Sequence, residues 1–176
     1  MRFGDGVEQA IHSVVMLSAV SADAALPAAA LAEFHGVSPS YLLKHLQSLV
    51  GAGLLVSLSG PAGGYRLARP AEKISVLDIV LAIEGREPAF RCAEIRQRGP
   101  DPLPGVPTMP CEINAVMLRA ERAWRSELAE VSVAAIAAQV AAHDQDGRVA
   151  ARRCAFLDRR ERRPAARATL MQGEAK

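Results

Sequence analysis

Four side chains suited to binding a soft or borderline metal stand out in this chain: Glu8, His12, Cys92 and Cys111. Glu8 and His12 are four residues apart, so on a helix both project from one face and can share one ion. Eighteen residues separate Cys92 from Cys111, far from the close C-x-x-C spacing of a zinc ribbon. Taken alone, Glu8 and His12 read first as a hydrogen-bonding pair on a surface or interface, and the two cysteines as ordinary buried or loop thiols. Together they make a four-ligand set that the sequence does not itself bring into one place. The three cysteines are odd in number and widely spaced, which argues against a disulfide framework and for cytosolic ligand or redox chemistry. The third, Cys154, reads as a free thiol. An enzyme using Glu8 and His12 as acid and base, or Cys92 as nucleophile, finds no support, because no Gly-rich phosphate loop, nucleophile elbow or zinc-protease motif accompanies them.

The elements that must hold these residues follow from periodicity. Val7, Ile11, Val14, Val15 and Leu17 recur as on an amphipathic helix over Gly6 to Val20, and a breaker follows at Ser21 to Leu26. Pro27 opens a short second helix whose apolar residues Leu31, Ala32 and Phe34 stop at Gly36. Ser38 then stands as N-cap with Pro39 at the first helical position, and a third helix runs to about Ala52. Its Leu42, Leu46, Leu49 and Val50 face inward, whereas Ser40, Tyr41, Lys44, His45 and Ser48 form a hydrogen-bonding face. A short helix, a tight turn at Gly36 and a second helix opening on Ser-Pro is the helix-turn-helix arrangement, whose second helix enters the major groove. Leu54–Leu58, a Gly-rich turn at Gly60–Gly64 and Tyr65–Leu67 read as a hairpin, so the expected fold is mostly α with a β-hairpin wing, a winged helix-turn-helix. On the wing, Gly64 lets backbone approach closely, while Arg66, Arg69 and Lys73 suit phosphate. Ser75 caps a fourth helix that ends at Gly85.

Beyond it lies a Pro-rich loop from Arg86 to Pro110, with Pro88, Pro100, Pro102, Pro104, Pro107 and Pro110, a length that marks function or disorder. A long helix follows from Glu112 to about Leu128, with Ile113, Val116, Met117, Ala120, Ala123, Trp124 and Leu128 on one stripe, suited to pairing with a second copy in a twofold dimer. The chain thus divides into a DNA-binding unit at 1–85, a loop at 86–111, dimerisation helices at 112–143 and a basic, flexible tail at 144–176. From Asp144 onward nine Lys/Arg stand against five Asp/Glu, whereas the preceding residues carry 12 against 14. A solvated, frayed helix or coil is the first reading of that tail, and nonspecific contact with nucleic-acid phosphates the second. The 176 residues are 50% hydrophobic, 23% charged and 4% aromatic, which excludes collagen, a secreted mini-protein and a bilayer-spanning chain and makes a cytoplasmic protein with no membrane partner the expectation.

Several runs carry a family resemblance: Val37-Ser38-Pro39-Ser40-Tyr41-Leu42, Gly51-Ala52-Gly53-Leu54-Leu55-Val56, Gly63-Gly64-Tyr65-Arg66-Leu67-Ala68-Arg69-Pro70 and Ser75-Val76-Leu77-Asp78-Ile79-Val80. Over about Val7 to Val140 the chain resembles the winged-helix repressors of the iron-sulfur cluster regulator family, the IscR and NsrR type. Gly6-Val7-Glu8 with His12, the run Pro88 to Pro100 around Cys92, and Cys111 at the start of the long helix make it most similar to the redox-sensing RsrR type. The resemblance implies a DNA-binding repressor with a 2Fe-2S cluster held by Cys92 and Cys111 of one subunit and by Glu8 and His12 of the other. It departs from the IscR and NsrR pattern of three clustered loop cysteines, and Gln9 stands where the RsrR type carries an aromatic residue. Tyr41, Lys44, His45 and Ser48 would face the DNA groove, Ser38 and Ser40 would anchor the helix start on phosphate, and Gly64 and Arg66 would serve the wing. The same four ligands suit Zn²⁺. A winged helix with no metal, sensing through a small molecule or a partner protein, and an interaction protein built on the long helix are the remaining readings.

Overall fold

The computed structural model describes residues 3–100, 104–105, 109 and 111–163. Pro102, Pro107 and Pro110 of the loop, and the tail from residue 164 on, lie outside the described residues. Helix α1 (Asp5–Leu17) buries Val7, Ala10, Val14 and Leu17 along one stripe. Helix α2 (Ala28–His35) ends at Gly36, whose φ of 67° lies in the left-handed region that glycine enters without a Cβ penalty. Helix α3 (Pro39–Gly51) begins with proline in its first turn, where the missing N–H would have had no helical partner. Leu42, Leu46 and Leu49 are fully buried beneath it, and they meet Val14, Leu17, Leu31 and Ile79 in one core. Ser38 occupies the cap position but makes no capping hydrogen bond; its hydroxyl instead lies 3.1 Å from that of Ser40.

The wing is the antiparallel pair β1 (Leu55–Leu58) and β2 (Gly64–Leu67), with Leu55 opposite Leu67 and Leu58 opposite Gly64. On the other side of β2, Leu26 exchanges two backbone hydrogen bonds with Tyr65, of 3.0 and 2.9 Å, which fastens the wing to the segment leading into α2. Gly64 sits at that seam. A Cβ there would come within 2.7 Å of the Leu26 backbone, which has no rotamer by which to withdraw. Gly64→Ala is therefore expected to destabilise the chain by about 1–3 kcal/mol, as overpacking does, and to loosen the wing. A denaturant midpoint unchanged from the parent would contradict the seam.

Helix α4 (Val76–Glu84) opens with a complete capping box, in which Ser75 Oγ accepts from the Asp78 N–H at 3.1 Å and the Asp78 carboxylate accepts from the Ser75 N–H at 3.0 Å. Helix α5 (Glu112–Glu130) packs only its C-terminal half on the winged helix, where Trp124 and Leu128 meet Val7, Val76 and Val80. Its N-terminal half leaves Ile113, Val116 and Met117 exposed at 64%, 50% and 40%. Helix α6 (Val133–His143) turns back: Val133 is fully buried, and its N–H donates to the Ile74 carbonyl at 2.9 Å. Of the two helices placed at 112–143, α6 thus packs on the core of its own chain.

One expectation is corrected. Residues 148–160 are not a solvated tail but helix α7 (Arg148–Arg160), with Phe156 and Leu157 buried in the main core and the Phe156 ring 4.9 Å from that of Phe34. Two apolar residues in an arginine run are a weak pattern by themselves. They suffice here because α2 leaves Phe34 half-exposed to receive them, and because Asp144 caps the helix through the N–H groups of Val149 and Ala150 at 3.0 and 2.7 Å.

Candidate functional site

The loop between α4 and α5 is rooted by residues that carried no sequence pattern. Glu121, buried in α5, accepts the Ala89 N–H at 2.9 Å and pairs with Arg125 at 2.7 Å, while Arg125 also donates to the Arg86 carbonyl at 3.0 Å. A buried carboxylate needs that partner, and pair and loop hold each other in place. Further out, Arg96 pairs with Glu94 and donates to the Met109 carbonyl at 3.4 Å, drawing the two arms of the loop together. Cys92 and Cys111 lie near each other on these two arms, both close to Arg96. Cys111 occupies the cap position of α5 and makes no directed capping bond. The N–H groups of Asn114 and Ile113, the Cys92 thiol and the Arg96 guanidinium nevertheless hold its pKa below the ordinary thiol value. The thiolate that binds metal is thus favoured at the helix start. All three cysteines are free, and Cys154 lies exposed on α7.

Glu8 and His12 stand exposed on α1, on the wall of a groove of about 860 Å³ between α1, α2 and α7. Gln9, His35, Arg148, Arg152 and Arg153 share that groove. His35, 23 positions from His12 in the chain and unmarked by any motif, places its ring 5.6 Å from the His12 ring. Burial first, then His12 and Arg152, push its pKa down to about 4, so it is neutral at neutral pH. Among the described residues no three His, Cys, Asp or Glu side chains are gathered to hold a metal. The structure therefore unites Cys92 with Cys111, and leaves Glu8 with His12 apart from them within one chain. Two adjacent thiols and a separate carboxylate-imidazole pair, each half of a four-donor set, fit an iron-sulfur group only if a second copy supplies the other half.

The α3 face is mostly open. Ser38, Ser40, Tyr41, Lys44 and Ser48 are exposed, as is Gln47, which the sequence reading passed over. Ser48 turns its hydroxyl back to the Lys44 carbonyl at 3.2 Å. His45 differs from the expected groove-facing role. Its ring lies against Gly6 of α1, where a Cβ would come within 2.4 Å of it, and edge-on to Tyr41 at 4.7 Å. Gly6 has no side chain, so the imidazole fills that space, and burial, then Lys44, lowers its pKa. Arg66 donates to the Ala22 carbonyl at 3.0 Å, and Arg69 is paired with Asp78 at 2.9 Å, so both are partly committed inside the chain.

Comparison with known proteins bears on the fold and the family. The chain is 33% identical over 133 residues to YwgB of Bacillus subtilis (strain 168), named as an HTH-type transcriptional regulator, covering 76% of this chain and 82% of that one. It is 34% identical over 92 residues to the HTH-type transcriptional regulator IscR of Photobacterium profundum, a match spanning 52% of this chain and about half, 54%, of the relative. Among solved structures, IscR from T. potens superposes with a TM-score of 0.62 at 20% identity, covering 80% of this chain and 88% of that one. CymR of B. subtilis superposes at 0.63 with 18% identity, covering 79% and 98%, and at such identities the likeness concerns the fold. Among the described residues no helix is long and apolar enough to cross a membrane. The family model described as "Rrf2: Iron-dependent Transcriptional regulator" matches residues 3–139, and the chain, a winged helix with its loop and long helix, belongs to the Rrf2 family of transcriptional regulators.

Proposed function

We propose that the protein is a homodimeric DNA-binding repressor whose operator affinity is set by a 2Fe-2S cluster, held by Cys92 and Cys111 of one subunit and by Glu8 and His12 of the other. The observation that carries this reading is the closure of the loop by Arg96, which donates to the Met109 carbonyl at 3.4 Å and lies near both Cys92 and Cys111, with no third donor gathered to them among the described residues. The uncovered Ile113, Val116 and Met117 of α5 support association with a second copy.

Bound between two such half-sites, the cluster supplies one-electron redox chemistry at a potential raised by imidazole in place of thiolate. His12 would take part through one ring nitrogen as the imidazole donor. The N–H groups at the α5 terminus lower the Cys111 pKa, so this thiol would offer the loop's ligand more readily than an ordinary one. Helix α1 carries Glu8 and His12 on one face and Gly6 on another, against His45 of α3. A displacement of α1 at its ligands is thereby passed to the recognition helix through that close contact.

On DNA, Tyr41, Lys44 and Ser48, with Gln47, face the major groove, while Ser38 and Ser40 at the start of α3 and Gly64 and Arg66 on the wing lie toward phosphate. Lys44 has no ion-pair partner among the described residues, so Lys44→Ala is expected to weaken binding and to reduce the salt slope of the logarithmic affinity by about 0.9. Equal affinity across a salt series would remove Lys44 from the interface.

The deciding experiment for the cluster is anaerobic purification followed by iron, sulfide and zinc analysis, with visible spectra before and after dithionite. Iron and sulfide in equal amounts, with colour that bleaches reversibly, support the redox reading. Zinc in their place would turn the same set of two thiolates, one imidazole and one carboxylate into a tetrahedral structural site. No metal at all would leave the DNA-binding half standing and direct attention to a small molecule or partner protein.

A further inference from the structure

We infer that the C-terminal arginines form a second phosphate-binding element beside the wing, so that the DNA footprint of this chain is larger than that of its winged helix. The inference rests on the DNA-binding reading above. The family match ends at residue 139, and α7 lies wholly beyond it. Between residues 148 and 163 the chain carries seven arginines against Asp158 and Glu161.

The end of α7 is fastened to the DNA-binding unit at several points. Ala25 and Arg162 exchange two backbone hydrogen bonds of 2.9 Å each, and the next residue, Leu26, pairs with Tyr65 of β2. Residue 162 therefore adds an edge to the wing, with the 25–26 segment between them. The Arg162 side chain reaches the carbonyl of Pro61, in the wing turn, at 3.1 Å. Glu161 accepts from both the N–H and the hydroxyl of Ser21 at 3.1 Å, and Phe156 and Leu157 are buried below.

This anchoring sets arginines where backbone passes. In a helix-turn-helix the first helix crosses the DNA backbone while the second enters the groove. Arg159, Arg160 and Arg162 line a cleft shared with Pro27, Ala29 and Ala30 at the start of α2, between that helix and the end of α7. Carboxylates neutralise only part of the cluster: Glu33 pairs with Arg160 at 2.7 Å and Glu161 with Arg163 at 3.5 Å. Arg159 and Arg162 have no ion-pair partner among the described residues, and both are exposed. Held on an ordered frame rather than a free tail, they reach phosphate without the entropy cost of ordering a flexible segment on binding. Phosphate contact carries no sequence information, so the element adds affinity and register rather than specificity.

The test is the salt dependence of binding of the full chain to a mixed-sequence DNA duplex. Arg159→Gln with Arg162→Gln is expected to lower the logarithmic salt slope by nearly 2, about 0.9 for each lost contact. Arg122→Gln, exposed on α5 and outside the groove of Glu8 and His12, is expected to leave the slope unchanged. The single Arg159→Gln variant, which removes no ion pair among the described residues, is expected to show about 0.9 even if the double variant melts early. A parental slope in the Arg159 variant, or an equal loss from Arg122→Gln, overturns the inference and returns the arginines to general surface charge. A parent chain that fails to bind duplex at low salt overturns the DNA-binding reading itself, and the inference with it.

Discussion

Cys111→Ala is expected to abolish cluster loading, so that the anaerobically purified variant carries iron and sulfide near zero and loses its visible absorption. Thiolates supply the firm anchors of such a group, and alanine offers no donor. Cys111 is the more telling of the two cysteines, because the α5 N–H groups and Arg96 favour its thiolate in the folded chain. Its side chain is half-exposed and makes no directed cap bond, so the fold is expected to survive with an unchanged far-ultraviolet spectrum. Cys154→Ala is the matched control. That thiol stands exposed on α7, and its variant is expected to keep iron at the parental level. Iron retained by Cys111→Ala, or lost equally from Cys154→Ala, would contradict the ligand assignment. If Glu8 and His12 complete the site from a second copy, Cys111→Ala mixed with His12→Ala in one heterodimer should recover one intact site.

The second large effect is on stability. Leu46→Ala is expected to cost about 2–5 kcal/mol, the range for deleting a fully buried leucine side chain from a close-packed core. Leu46 is wholly inaccessible, and it lies between Leu42 and Leu49 on the inner face of α3 in the cluster shared with α1, α2 and α4. Against a total of about 5–15 kcal/mol, that loss is large, and in a chain of this size each kcal/mol lowers Tm by about 2–4 °C. If α3 is the recognition helix, as proposed, DNA affinity should fall together with stability. Ser48→Ala, on the exposed face of the same helix, is expected to stay within about 0.5 kcal/mol of the parent. A midpoint for Leu46→Ala indistinguishable from that of the parent would mean that the helix is not seated as described.

Placed together, the two variants separate functions that share one frame. The first removes a proposed ligand from the loop, which Glu121 and Arg125 root on α5, and leaves the core whole. The second loosens the core and leaves the ligands chemically intact. A regulator in which α1 links ligands to recognition helix through Gly6 and His45 should lose regulation in the first and binding in the second.

The amino-acid sequence by itself determined the winged helix, because its rules are local. Periodic leucines fixed the inner face of α3, glycine at the left-handed position ended α2, and Ser75 with Asp78 started α4 by a contact three residues long. The four candidate ligands were legible as residue types, and Glu8 with His12 also as a helical spacing. Tertiary structure decided the rest. No periodicity relates Cys92 to Cys111 across eighteen residues, and their nearness accompanies the Arg96 contact with the Met109 carbonyl that draws the loop closed. His35 comes to His12 only because α2 packs across α1. His45 leaves the polar face of α3 because Gly6, 39 positions earlier, leaves room for its ring. The arginine run read as a solvated tail because its two apolar residues are too few to signal burial by themselves; only the half-exposed Phe34 and the open edge at Ala25 turn that composition into a packed helix beside the wing. Local sequence rules see contacts a turn or a hairpin away, whereas these four features join side chains whose nearness exists only once the core has formed.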